Sequence, residues 1–413
     1  MDSEINLNYK TWLSRATDNE LLQELLEMSD NEKTDAFSRD LEFGTGGLRG
    51  VIGAGTNRMN VYTVRRATQG LCNYLLKRKS SNSVAIAFDS RIKSSFFAAE
   101  AAGVFSANGI RVHIFAELMP TPMLSYAVRE LNCDAGIVIT ASHNPAKYNG
   151  YKVYGSDGCQ ITLEMAEAVL EEISNVDYFD DVKTAVFDDA VKSGSIAYIP
   201  NSLIERFYDD VLKCAVNPEI CAQSGLSVIY TPLNGAGSKP VKAILNRMGV
   251  EKIYTVPSQD SPDGNFPTCK KPNPEERSAF EKALEQSVSI KPDLLLATDP
   301  DCDRVGIAVR DGGGEYTLMT GNEVGCLLLD YILSQRKNSG TLPAAPVVVK
   351  TIVTSVMADE IAKSYGAEVI NTLTGFKFIG EQIGLLEKNG QANRFVFGFE
   401  ESYGYLAGSY ARD

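Results

Sequence analysis

Several things are scarce in this chain, and each scarcity closes a class of function. Histidine occurs only twice in 413 residues, and none of the eight cysteines stands in a C-x-x-C pair. Structural zinc sites draw on such ligands, so zinc is not expected and the thiols are read as scattered and reduced. No stretch approaches eighteen uninterrupted apolar residues, so no membrane-spanning helix is expected. The opening "MDSEINLNYKTW" lacks the basic and apolar blocks of a signal peptide. A cytoplasmic protein with no membrane partner is the expectation. Basic charge is short as well: the formal net charge is −13, whereas a nucleic-acid binder usually carries a basic face. A net acidic chain can still bind phosphate locally, through a few cations, a metal ion and backbone N–H groups. There is no low-complexity tract, no strict repeat, no "GK[ST]" phosphate loop and no "G-x-S-x-G" nucleophile elbow.

What is present is ordinary globular material, 44% hydrophobic and 23% charged, and too long for one core. Residues 17–42 carry leucines at helical spacing, and a glycine-rich turn, "GTGGLRG" (44–50), follows. Beyond it one grammar repeats. "SVAIAFDSR", "DAGIVITASHN", "LSVIYTPLNGAG", "DLLLATDPDCDR", "VVVKTIVTS" and "RFVFGFEES" are short apolar runs that stop abruptly at polar residues. Helical stretches such as "SLIERFYDDVLK" and "SAFEKALEQ" lie between some of them. This alternation predicts βαβ units and largely parallel sheets covered on both faces, with ligands outside the carboxyl ends of the strands. Boundaries are expected near "YIPNS" (198–202) and "DGGGEYTLMTG" (311–321), which gives domains 1–200, 201–315 and 316–413.

Four polar clusters stand at such ends. "ATDPDCDR" spaces Asp299, Asp301 and Asp303 by two, so an extended segment would put three carboxylates on one side. Their mutual repulsion calls for a cation, and an all-oxygen set suits Mg²⁺. An EF-hand is excluded, because loop positions six and twelve hold Arg304 and Arg310. Since Mg²⁺ usually keeps a phosphate or water ligand, the cluster predicts a phosphate nearby, with Arg304 helping to balance its charge. In "TASHNPAKYNGYK", Ser142 reads equally as a nucleophile or a turn hydroxyl, and "NG" as a second turn. His143, its immediate neighbour, is badly placed to reach back as a base, while Lys152 suits a base or a phosphate clamp. Arg49 in the glycine-rich turn and Lys377 in "TLTGFKFIG" are possible anion contacts, with plain turn and surface lysine as the other readings. In "FGFEESYGY", Glu400 and Ser402 can bond sugar hydroxyls or form an ordinary acidic loop.

Taken in order, "TASHNP…NGYK", "DPDCDR" and "GFEESYG" resemble the α-D-phosphohexomutase family, the superfamily of phosphoglucomutase and phosphomannomutase. The likeness runs from "FGTGGLRG" to the last residues. The N-terminal helical segment and "TLTGFKFIG" look most like the phosphoglucomutase branch that also holds phosphopentomutases. The resemblance implies three consecutive α/β domains of similar mixed-sheet architecture around a central cleft. It implies a phosphoserine at Ser142, and Mg²⁺ bridging that phosphate to Asp299, Asp301 and Asp303. It implies interconversion of glucose 1-phosphate and glucose 6-phosphate through bound glucose 1,6-bisphosphate. Lys152 becomes the candidate general base, provided neighbouring cations or burial lower its pKa, with Arg49 assisting and His143 supporting the serine loop. Arg304, Lys377, Glu400 and Ser402 become substrate contacts. Family members continue into a fourth domain with a phosphate-gripping loop; this chain stops at "LAGSYARD", so that domain is expected to be missing and the third to be incomplete, with weakened substrate binding. The expected partners are sugar phosphates, for a monomer or weak homodimer. Phosphomannomutase or phosphopentomutase activity is the nearest alternative. A non-catalytic sugar-phosphate binder would need neither the serine nor the aspartates, and a Mg²⁺-dependent phosphatase would need a water-activating residue that is not evident.

Overall fold

The computed structural model describes residues 3–44, 46–78 and 82–413. Among the described residues, fifteen strands form three sheets. The first contains β1 (Gly47–Val51), β2 (Ser83–Phe88), β3 (Arg111–Ile114), β4 (Ala135–Ile139), β5 (Tyr148–Gly155) and β6 (Ile196–Tyr198), in the order β1-β5-β4-β2-β3-β6. The second contains β7 (Ser227–Thr231), β8 (Lys252–Thr255), β9 (Leu294–Thr298), β10 (Val305–Arg310) and β11 (Tyr316–Leu318), in the order β11-β10-β9-β7-β8. The third contains β12 (Val347–Thr351), β13 (Glu368–Thr372), β14 (Phe395–Glu400) and β15 (Gly404–Leu406), in the order β13-β12-β14-β15. Each sheet has a parallel part, and each closes on one side with antiparallel strands: β5 and β1, β10 and β11, or β15 alone. The sheets are therefore mixed.

Period-two alternation explains why the strands read as nearly continuous apolar runs. Val84 and Ile86 of β2 face the helices Val61–Arg78 and Ser94–Ala107, while Ala85 and Ala87 face the helix Thr121–Glu130. In the second sheet, Ile229 and Leu295 face the helix Arg277–Ile290, and Val228 and Tyr230 face Ser238–Arg247. In the third, Val348 packs with the helix Gly321–Asn338, and Val347 and Val349 with Phe376–Lys388. The central strands are buried on both faces, which leaves their ends as the main places for polar chemistry.

Three readings of the sequence need correction. Residues 17–42 do not form one helical run. The helices are Ser3–Arg15, Asn19–Glu27 and Asp30–Phe37, the last two begun by Asp18 and Ser29 as N-caps, with a full Ser29/Glu32 capping box. They close around Trp12, whose ring meets Phe37, Tyr62, Tyr178 and Phe179 edge-on. The glycine-rich turn is in larger part a strand, β1, with Arg49 registered opposite Gly150; Thr45 lies outside the described residues. And "NG" is no turn: Asn149 and Gly150 sit inside β5 between β1 and β4. Asn149 is fully buried, donating from Nδ2 to the Ile92 carbonyl at 2.9 Å and to Ser94 Oγ at 3.0 Å. Glycine follows because the strands close tightly there. A Cβ at 150 would overlap the Thr140 carbonyl oxygen and stand 2.8 Å from that of Leu48.

Gly150→Ala should therefore destabilise the first domain by about 1–3 kcal/mol, the usual cost of overpacking. The measurement is thermal unfolding, where a midpoint lowered by several degrees is expected. An unchanged midpoint would contradict the tight register.

Candidate active site

Ser142 lies just past the carboxyl end of β4, buried, in the left-handed region at φ 50°. A non-glycine residue there costs about 1–3 kcal/mol and persists only where its surroundings hold it. The holding is visible. Its N–H donates to Thr140 Oγ1 at 2.8 Å, and that hydroxyl donates to Asp89 Oδ2 at 2.7 Å. Held this way, the serine hydroxyl points out of the first domain and donates to Asp299 Oδ2 at 2.8 Å. Residues 157 apart in sequence are thus joined at the reacting atom.

The aspartate cluster is built differently from the extended segment expected. β9 and β10 form an antiparallel hairpin, Thr298 opposite Val305, and residues 299–304 are its loop. The chain turns at Cys302, φ 54°, and so folds three carboxylates onto one point, with one oxygen of each within 4.8 Å of the others. Asp299 Oδ1 accepts the N–H groups of Asp303 at 3.2 Å and Arg304 at 3.1 Å, which fixes the loop. Thr121, at the start of its helix, donates N–H to the Asp301 carbonyl at 2.8 Å and Oγ1–H to Asp301 Oδ2 at 3.1 Å. Lys152 reaches in from β5, its Nζ 2.9 Å from Asp301 Oδ2 and 3.0 Å from Asp303 Oδ2. Asp301 Oδ1 and Asp303 Oδ1 are buried without a protein donor. Two carboxylate oxygens left this way, beside a third carboxylate and a serine hydroxyl, fit a hard divalent cation.

The ionisation pattern follows the geometry. Burial, then the charges of Asp303 and Asp301, push Asp299 well above the usual carboxylate range. Burial would raise Asp301 too, but the charge and hydrogen bond of Lys152 outweigh it and hold that group below the range. For Lys152, burial favours the neutral amine, yet Asp301 and Asp303 win and raise its pKa. The condition set for a general base, a pKa lowered by cations or burial, is therefore not met here: the neighbours are carboxylates. His143 is pulled down to about 3, first by burial and then by Arg304, so it is neutral at physiological pH. Its Nδ1 lies 3.2 Å from Ser142 Oγ, which corrects the view that it reaches back poorly. The left-handed backbone at Ser142 brings the two side chains together.

The remaining residues lie around this centre. Arg304 turns its guanidinium to Glu275, a partner the sequence did not suggest. Arg49 is exposed on β1, its Nη1 3.5 Å from Asn144 Oδ1 in the serine loop. Glu400 ends β14, buried, and accepts the Gly375 N–H at 2.6 Å and the Ser402 hydroxyl at 3.2 Å. Burial raises its pKa. The adjoining Tyr403 carbonyl accepts the N–H of Val305 at 3.1 Å, so the "EES" loop abuts the aspartate loop. Lys377 is the second residue of the helix that starts behind Gly375, its ammonium 5.2 Å from the centre of the Phe378 ring. Thr121, Thr140 and Asp89 were missed in the sequence. Asp89 carried the same signal as the others, a polar residue directly after an apolar strand.

Three α/β domains meeting on a buried serine and an aspartate hairpin define an enzyme of the phosphosugar mutase class. Residues 40–179, 205–313 and 320–413 match the phosphoglucomutase/phosphomannomutase alpha/beta/alpha domains I, II and III. A phosphoglucomutase of Staphylococcus aureus strain USA300 is 35% identical over 430 residues, covering 100% of this chain and 72% of that protein. The chain belongs to the phosphoglucomutase/phosphomannomutase family. In fold it is also like a Thermus thermophilus protein described as a phosphomannomutase (TM-score 0.73, 24% identity, 91% of this chain and 77% of that one). Parafusin, a Paramecium phosphoglucomutase in its open form, is similar (TM-score 0.69, 20% identity, 89% of this chain and 67% of that one).

The carboxylate centre predicts cation binding that calorimetry can read. Mg²⁺ should bind the intact chain at one site, and Asp301→Asn should weaken it by about tenfold or more. Equal binding by the variant would contradict the site.

Proposed function

We propose that the protein interconverts glucose 1-phosphate and glucose 6-phosphate by reversible phosphoryl transfer, with Ser142 as the phosphate carrier and glucose 1,6-bisphosphate as the bound intermediate. The observation that carries this reading is the 2.8 Å contact between Ser142 Oγ and Asp299 Oδ2, which puts the serine hydroxyl on the cation-fitting centre. Glucose is preferred as the sugar because the relatives covering the whole chain at 35–36% identity are named phosphoglucomutases.

In the forward direction a sugar hydroxyl oxygen attacks phosphorus on Ser142. The Oγ–P bond breaks, the new O–P bond forms, and the hydroxyl proton passes to a base. After the bisphosphate turns over, its other phosphate returns to Ser142 by the reverse step. Such a transition state needs alignment and positive charge more than covalent machinery. Mg²⁺ held by Asp299, Asp301, Asp303 and the phosphoserine would supply that charge and loosen the carboxylates' grip on Lys152. Lys152 is our candidate base in that setting. While it bridges Asp301 and Asp303 its ammonium cannot take a proton, and His143, titrating near 3, is too weak a base to replace it. Arg49 and Arg304 are assigned to phosphate, with Lys377 a further anion contact. Glu400 and Ser402, already bonded to each other, are assigned to the ring hydroxyls.

Incubation with glucose 1,6-bisphosphate should add one phosphate to the intact mass of the chain, and Ser142→Ala should lose it. A panel of glucose, mannose and ribose 1-phosphates, each with bisphosphate, should show turnover highest on glucose. Phosphate retained by the Ala variant would remove the serine assignment. A preference for mannose or ribose would move the substrate to the sister activities.

A further inference from the structure

We propose that Arg91 is a positioning residue for the phosphoryl-transfer step: it locks the backbone of the Ser142 loop so that the serine hydroxyl stays aimed at the aspartate centre. The proposal rests on the mutase reading for its chemistry, but its geometric content stands on the contacts alone.

Arg91 follows closely on β2, in "FDSR", and its side chain is inaccessible to solvent. Its Nη2 donates to the carbonyls of Ser142 and Asn144, and its Nη1 to those of Pro145 and Tyr148, both at 3.1 Å. One planar guanidinium thus gathers four carbonyls, all from the stretch that runs from the serine into β5. Its carboxylate partner is Asp89, with Oδ2 3.3 Å from Nε. That contact is an ion pair; the hydrogen bonds Asp89 accepts come from the Arg91 N–H at 2.9 Å, Ser94 Oγ at 2.7 Å and Thr140 Oγ1 at 2.7 Å. Thr140 Oγ1 receives the Ser142 N–H. The contacts therefore close a ring, Asp89 to Arg91 to the Ser142 carbonyl, and back through the Ser142 N–H and Thr140 to Asp89. The peptide groups on both sides of Ser142 are pinned, which is what a left-handed, non-glycine backbone requires in order to persist.

The second domain completes the arrangement. The Phe266 ring, itself buried, has its centre 5.0 Å from the guanidinium carbon, and Gly264 approaches so closely that a Cβ there would overlap the Ile92 nitrogen. Water is kept from the guanidinium, and hydrogen bonds in such surroundings are stronger than in solvent. A cation serving only to neutralise Asp89 would need one contact. This one directs both of its terminal nitrogens to the single loop that carries the reacting serine. Lysine cannot replace it, because one ammonium has three donors at a single point and cannot hold four carbonyls spread over two nitrogens.

The test uses Arg91→Lys and Arg91→Ala in the full 413-residue chain. Turnover of glucose 1-phosphate should fall about a hundredfold in both, the scale expected when a reacting group shifts by about 1 Å, with KM little changed. Amide hydrogen exchange should quicken at residues 142–148 and stay as in the wild type in β2 and β3. Millimolar methylguanidinium should restore part of the turnover of Arg91→Ala and none of that of Arg91→Lys. Should Arg91→Ala not fold, the lysine variant decides alone. Unchanged turnover and exchange in Arg91→Lys would overturn the proposal, as would faster exchange spread through the whole sheet. If the wild type, supplied with glucose 1,6-bisphosphate, neither turns over glucose 1-phosphate nor gains a phosphate at Ser142, the mutase reading fails, and the exchange pattern still decides whether Arg91 holds the loop.

Discussion

Three carboxylates crowded within 4.8 Å of one another, two of them fully buried, are the constraint on which this structure turns. At an effective dielectric of about 20, two ionised carboxylates at that separation repel by roughly 3 kcal/mol and burial adds a further cost, which pushes Asp299 toward its neutral form. The surrounding contacts read as answers to that cost. Two backbone N–H groups and a serine hydroxyl go to Asp299, a helix start goes to Asp301, and a lysine ammonium lies between Asp301 and Asp303. What is left over, two buried oxygens without a donor, marks where a cation would complete the set.

The scaffold explains how one point can collect so many groups. The central strands are buried on both faces, so much of the site's polar chemistry gathers at their ends and in the loops beyond them. Asp89 follows β2, Ser142 follows β4, Asp299 follows β9 and Glu400 closes β14, all at carboxyl ends. The antiparallel strands add what parallel ones cannot. β5 returns beside β4 and delivers Lys152 to the same end, and the β9–β10 hairpin folds its loop back on itself. Contacts between domains then fix the centre: Phe266 over Arg91, Thr121 on Asp301, and the Tyr403 carbonyl on Val305.

Much of this was legible in the sequence. The apolar runs marked the central strands, and the acids at spacing two pointed to the cluster that the β9–β10 hairpin assembles. What escaped depended on partners far away in the chain. Nothing local shows that Gly150 lies in a strand squeezed between two others, so "NG" read as a turn. Nothing near Lys152 shows that its neighbours in space are carboxylates, so the condition for its acting as a base could be stated but not judged. The "PDCD" loop looked extended because its turn residue, Cys302, is not a type that usually adopts positive φ. Arg91 was hidden just past a strand, and its importance lies in the carbonyls it collects, which carry no sequence signature.

The central claim is that Ser142 and the aspartate triplet share one cation once the serine carries phosphate. Phosphorus NMR of the phosphorylated chain, titrated with Mn²⁺ in place of Mg²⁺, tests it directly. The account predicts that one equivalent of Mn²⁺ broadens the phosphoserine resonance beyond detection, and that Asp299→Asn or Asp301→Asn restores a sharp line at the same Mn²⁺ concentration. A phosphoserine line that stays sharp while Mn²⁺ is bound to the wild-type chain would contradict it.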